Sequence, residues 1–171
     1  MRTFLSCLLL LSICISQASF ASGETKAVFS SERSIKGILL KEVDSSTSTI
    51  DLAVHEITSP EMAQALLKAK ERGVMVRVIS DSKQAKTKSS RITTLIQQGI
   101  PVKVLRGKDY GVMNNRFAIF DSEMVVTGSF DWSEASEEWN YENIVVIGDS
   151  EVVASYQREF DRLWREKRVI H

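Results

Sequence analysis

From Thr49 to Ile57 the chain reads "TIDLAVHEI", apolar at most positions and about as long as one strand, which predicts a buried β-strand. The next stretch, "TSPEMAQALLKAKERG", changes period: Met62, Leu66 and Ala69 share one helical face, Pro60 suits a first turn, and Gly73 marks the stop. Thr58 and Glu61 are spaced as a capping box, which predicts that the helix starts at Thr58. "VMVRVIS" follows as a strand with Val74, Val76 and Val78 on one side. Upstream, Ile35, Ile38, Leu39 and Val43 have helical spacing. Downstream, a helix is expected over 91–98, stopped by Gly99, and then a strand in "IPVKVL". "RGKDYGVMN" leads into "RFAIFDSEMVVTG", which predicts two strands around a tight Asp-Ser-Glu turn. "NIVVIGD" gives another strand, and a last helix from Ser150 to Arg168 is expected to bury Val153, Tyr156, Phe160 and Leu163. The order predicts an α/β layered domain with a mixed β-sheet flanked by helices. There is no internal repeat, and the loosest region is the polar, basic "DSKQAKTKSS".

The first residues break this pattern. Arg2 is followed by an apolar run from Phe4 to Ile15 and by small residues at Ser19 and Ala21, the build of a signal peptide cleaved after Ala21. The run is well short of the roughly 20 residues of a membrane helix, and no later segment is apolar enough to span. The expectation is therefore a leader at 1–21, one domain at 22–171, and a secreted protein, periplasmic if the source is a Gram-negative bacterium. Cys7 and Cys14 both lie in the leader, and Ile13 before Cys14 does not suit a lipoprotein signal. The mature chain is then held by its core alone, without disulfides or thiolate chemistry. Losing Arg2 from 22 basic and 22 acidic residues leaves 21 against 22. Bulk charge thus gives no reason to expect non-specific nucleic-acid binding.

Composition adds no chemistry of its own, so the weight falls on one stretch. "RFAIFDSEMVVTGSFDWSEASEEWNYENIVVI" resembles the signature region of the phospholipase D superfamily, especially its small secreted bacterial members with one motif copy per chain. "IDLAVHEITSPEMAQALLKAKERGVMVRVISD" is similar to the strand, helix and strand that precede it there, so the resemblance runs from about Val28 to Glu166. It implies a phospholipase D-like fold and phosphodiesterase or nuclease ancestry. The family motif is His-x-Lys, four residues, Asp, with Gly-Ser-x-Asn downstream. One imidazole attacks phosphorus, and a second, from the other motif copy, protonates the leaving oxygen. Lys, Ser and Asn hold the phosphoryl oxygens. With one motif per chain, the resemblance implies a homodimer through the motif face.

Carried onto this sequence, the His place is Asn114, the Lys place Arg116 and the motif Asp Asp121. Gly128 and Ser129 match, the Asn place holds Asp131, and Glu142 matches the acid that supports the family's histidine. A carboxamide at 114 is neither an effective nucleophile toward phosphorus nor a proton shuttle near neutral pH, where imidazole titrates. Arg116 keeps the charge and can grip a phosphate through two donors. Asp131 puts a negative charge where the phosphate belongs. The expectation is an ion pair between Arg116 and Asp131 that fills the pocket from within, with Asn114 and Ser129 hydrogen-bonded nearby. The plainer alternative leaves Asp131 in a solvated turn.

The leading expectation is a phospholipase D-like protein that has lost hydrolysis and acts by binding a protein or small ligand. The alternative is an active phosphodiesterase of phospholipase or endonuclease type, with nucleic acid or phospholipid as substrate. It would use His55, at the end of "IDLAVH" beside Glu56, or the motif of an intact paralogue in a mixed dimer. His171 is the last residue and carries no role. No grouping has metal-ligand spacing and no Gly-rich phosphate loop is present, so neither metal nor cofactor is expected. Trp132 and Trp139 read equally as core or interface residues. Glu134, Glu137, Glu138 and Glu142 would repel polyanions if they rim the pocket, unless "SKQAKTK" opposes them.

Overall fold

The structure, a computed structural model, describes residues 23–107, 109 and 111–166. The expected leader and His171 lie outside the described residues. The elements run β1 Thr25–Phe29, α1 Ile35–Ser45, β2 Thr49–Val54, α2 Pro60–Glu71, β3 Met75–Asp81, a 3-10 turn Gln84–Lys86, α3 Ile92–Gln97, β4 Val102–Leu105, β5 Phe117–Phe120, β6 Met124–Gly128, α4 Glu134–Glu138, β7 Asn143–Ile147 and α5 Ser150–Arg165.

The strands form one sheet of seven in the order β1-β7-β6-β5-β2-β3-β4. β2, β3 and β4 are parallel, as crossover helices require, and every other pairing is antiparallel. The period of two sorts side chains between two cores. Ile50, Leu52 and Val54 face α1, α2 and α3, together with Ala118 and Phe120. Ala53, Phe117 and Ile119 face α5, where Val153, Phe160 and Leu163 close the second core. The central strands are thus covered on both faces, which is why β2 is apolar almost throughout.

Local signals explain the element ends. Ser34 Oγ accepts from Gly37 N at 2.9 Å to start α1, and Asp149 accepts from Glu151 N and Val152 N to start α5. α2 corrects the expected capping box: its cap is Ser59, which accepts from Met62 N, with Pro60 in the first turn. Thr58 is held outside the helix because its N–H donates to Trp132 O at 3.0 Å. The β5–β6 turn has Asp121 and Ser122 at φ 52° and 57°, the left-handed pair that matches hairpin twist. The pattern did not announce β1 or α4. β1 is an edge strand with only Val28 buried, and α4 is one polar turn.

The pairing directions bring the ends of β1, β2, β3, β4 and β6 together with the starts of β5 and β7. The loops before β5 and after β6 therefore open on one end of the sheet, and the β5–β6 turn with Asp121 lies at the other.

Candidate functional site

At the centre of that end face, just before β5, Arg116 Nε donates to Asp131 Oδ2 at 2.8 Å. Nη1 donates to Asn114 Oδ1 at 3.0 Å. The expected ion pair is present, and Asp131 is not in a solvated turn, since it is only 8% exposed. Its other oxygen accepts from Glu56 N at 3.4 Å, and its own N–H donates to Ser136 Oγ at 3.2 Å. Arg116 shares a small pocket of about 10 Å³ with Leu39, Val54, Phe130 and Trp132, at the lower limit for one water. The guanidinium is thus committed to two side chains of its own chain.

Beside the pair, Gly128 lets two backbones touch: a Cβ there would lie 2.1 Å from Asn143 O. This contact lets Ser129 N donate to Asn143 O at 3.0 Å. The Ser129 hydroxyl donates to a Glu142 carboxylate oxygen in a short bond and accepts from Asn143 N at 3.1 Å. Glu142, 8% exposed, also accepts from Asn140 Nδ2 at 3.0 Å. A hydroxyl has one proton to donate. In this arrangement Ser129 gives it to Glu142, not to a ligand.

Two expected site residues lie elsewhere. Asp121 follows β5, whereas Arg116 precedes it, so roughly 15 Å of strand separates them. Asp121 instead accepts from Thr47 N, Ser48 N and Thr49 N and from the Ser48 hydroxyl. Burial alone would raise its carboxyl, but those N–H groups and the hydroxyl hold it below the usual range. It is a clamp at the start of β2. His55 is bound through Nδ1 to Met113 O at 3.2 Å. A carbonyl only accepts, so Nδ1 carries the proton. Met113 belongs to the core under α5, while Arg116 borders Leu39, Val54 and Trp132 of the opposite layer. The histidine contact and the ion pair fall on different sides of the sheet end.

Asp81 is a residue that the motif reading passed over. It is 1% exposed and ends β3, with Oδ1 accepting from Lys83 N and Gln84 N and Oδ2 from Met113 N at 3.0 Å. It ties the basic loop to the segment that carries Asn114. Its one signal was an acid closing an apolar strand. Trp132 is core, and its carbonyl holds the start of α2, whereas Trp139 is 79% exposed. Glu137 accepts from the Ser34 hydroxyl and from Lys36 N, which leaves Glu134 and Glu138 as the exposed acids of α4. Among the described residues no group of His, Cys, Asp or Glu could hold a metal ion, and no helix is long and apolar enough to cross a membrane.

A mixed sheet between two helical layers, with a Gly-Ser strand end and a buried acid at one end face, defines an α/β layered domain with its candidate site on that face. The chain belongs to the phospholipase D superfamily: the model described as "Cardiolipin synthase, PLD-like domain" matches residues 39–164. A mitochondrial cardiolipin hydrolase of Chlamydomonas reinhardtii is 38% identical over 125 residues, 73% of this chain and 55% of that protein. Its human counterpart is 32% identical over 128 residues, covering 75% and 50%. This chain therefore spans about half the length of the curated relatives it matches. Among solved structures, the phospholipase D family member Nuc of Salmonella typhimurium aligns with TM-score 0.76 and 26% identity over 86% of this chain and 98% of that one. NucT of Helicobacter pylori gives 0.74 and 25% over 86% and 100%. The relatives correct the secreted or periplasmic location expected from the N-terminal segment, because they are named as mitochondrial proteins. A basic residue before a short apolar run is an address read by a receptor, and its composition does not fix the compartment.

Proposed function

We propose that this protein keeps the phosphodiesterase scaffold without its turnover and works by binding at the altered end face. The observation that carries this reading is the 2.8 Å pair between Arg116 and Asp131, with Asn114 on the same guanidinium. An anionic ligand would have to displace a carboxylate already in place. Asn114 stands where the resemblance puts the nucleophile, and its amide oxygen is occupied as an acceptor. Ser129, whose hydroxyl donates to Glu142, offers no donor to a phosphoryl oxygen. The working unit we propose is a homodimer through this face. A mixed dimer with an intact paralogue is the alternative route to activity. Nucleic acid or phospholipid would be a substrate only of an active form.

The test is hydrolysis of bis-p-nitrophenyl phosphate, and of cardiolipin because of the relatives' name, by the natural protein beside Asn114→His combined with Arg116→Lys and Asp131→Asn. The expected result is no turnover by the natural protein and measurable turnover by the triple variant. Turnover by the natural protein at a rate above the buffer blank, lost in His55→Ala, overturns the proposal.

A further inference from the structure

Trp139 and Tyr141, in the turn from α4 to β7, are 79% and 97% exposed. Two large rings left in solvent within one turn mark a contact surface. The backbone that carries them is fixed. Trp139 N and Asn140 N both donate to Ala135 O, at 3.0 and 3.1 Å, and Asn140 Nδ2 donates to Glu142 Oε1 at 3.0 Å. Beyond the rings, Ser30 N donates to Glu142 O and Glu142 N donates to Ser30 Oγ, both at 2.9 Å. The turn is thus tied to its own helix on one side and to the end of β1 on the other. Rings held out on such a backbone lose less freedom on binding than rings on a loose segment.

The charge beside the rings is mainly of one sign. Glu134 and Glu138 are exposed, stand four apart on one face of α4, and have carboxylates without a hydrogen bond or ion pair among the described residues. Glu32, after β1, is exposed as well, and Arg33 is the one cation between β1 and α1. Glu137 has a structural task, since it accepts from the Ser34 hydroxyl and from Lys36 N at the start of α1. Glu138 has none. It stands in the last turn of α4, where the backbone carbonyls already present negative charge and no basic residue offsets it, and it repels Glu134 at this spacing. β7 lies two strands from β5, roughly 10 Å, and only β1 lies beyond it. The rings therefore sit on the β1 side of the end face, off the Arg116–Asp131 pair but joined to Ser129 through Glu142.

We infer that the turn of Trp139 and Tyr141 is a docking surface for a cationic, arginine-bearing segment of another protein, which rests on the reading of the end face as a binding surface and names the class of its partner. Charge complementarity decides the occupant. A guanidinium lies flat on an indole or phenol ring while its N–H groups fork to a carboxylate. Here ring and acid are both exposed at one turn, and neither has a partner among the described residues. Two rings and two unpaired carboxylates serve more than one such side chain, which a single small cation does not supply. A nucleic acid or an anionic bilayer would meet Glu134 and Glu138 at this edge and be repelled. A neutral bilayer would take the rings and leave the acids unmatched.

The test is fluorescence anisotropy of a short labelled peptide of alternating arginine and serine, titrated with the natural protein at low salt. A peptide with glutamate in place of arginine and phosphatidylcholine vesicles, the latter by co-sedimentation, are run beside it. The expected result is saturable binding of the arginine peptide alone. Its dissociation constant should rise by at least on the order of tenfold when Trp139→Ala is combined with Tyr141→Ala, and likewise when Glu134→Gln is combined with Glu138→Gln. Trp139→Phe with Tyr141→Phe keeps two rings and should bind nearly as the natural protein does. All the changed side chains are exposed, so circular dichroism and melting of each variant should match the parent. No saturable binding, binding that survives removal of both rings, binding that the glutamate peptide matches, or attachment to the vesicles in place of the peptide overturns the inference. Turnover in the phosphodiester assay would sink the reading of an inactive end face and leave the peptide result standing, whereas a silent peptide leaves that reading untouched.

Discussion

Asp121 and Asp131 stand ten positions apart and look alike in the sequence, yet the fold uses them in opposite ways. Asp131 was legible as a misfit, because an acid in a phosphate-holding position demands a cation, and Arg116 was the cation in reach. Asp121 was misread, because a motif place says nothing about which end of a strand a residue occupies. It now serves as an acceptor for three consecutive N–H groups, a role that an amide side chain fills only in part. Asp121→Asn is expected to cost about 2 kcal/mol in urea unfolding. The pH dependence has a definite sign. The folded carboxyl titrates below its unfolded value, so its contribution is complete above the unfolded pKa and is lost as pH falls through the folded one. The acid limb of the stability profile should therefore be shallower in the variant, and an unchanged limb would remove Asp121 from the clamp.

At the level of elements, the helices with apolar stripes and Gly stops were predictable from spacing, and so were the strands other than the edge strand β1. What spacing missed is how one element finishes another. α1 begins with Ser34, but the carboxylate that meets its free N–H at Lys36 comes from Glu137 of α4, 101 residues away. α2 begins with Ser59, but the carbonyl that holds Thr58 and Ser59 outside the helix is that of Trp132. Both partners lie in the β6–β7 connection that also carries Asp131, so this connection and the starts of two helices are one unit. Glu137→Ala is expected to lower stability by about 1 kcal/mol. Amide hydrogen exchange at Lys36 should rise with it, and exchange at α5 should not. A change confined to α4 would mean that the cap contributes nothing to α1.

For the whole molecule, α5 closes the second core, and a polar cluster docks it. Arg77 on β3 donates to Asp51 at 2.7 and 2.6 Å and to Asp161 of α5 at 3.2 Å, and its guanidinium lies over the Phe160 and Trp164 rings. Asp51 is 4% exposed, with Gln157 of α5 as a further partner. Removing the arginine strands a buried carboxylate, so Arg77→Leu is expected to cost about 3 kcal/mol. Limited proteolysis of that variant should cut α5 first. Cleavage spread evenly over the chain would show that the cluster is not what docks this helix.

By itself the sequence determined the order of the strands and helices other than β1 and α4, the burial of β2, the family resemblance and the mismatch of Arg116 and Asp131 with phosphate chemistry. Each of these depends on residue type and spacing along one segment, where periods of 2 and 3.6 and the valence of a side chain suffice. Tertiary structure alone decided that Asp121 is far from Arg116, that the His55 contact lies on the α5 side and that Asp81 joins two loops. Those facts depend on which strand ends meet. That is fixed by the pairing of distant segments, and a local pattern carries no record of its neighbours across the sheet.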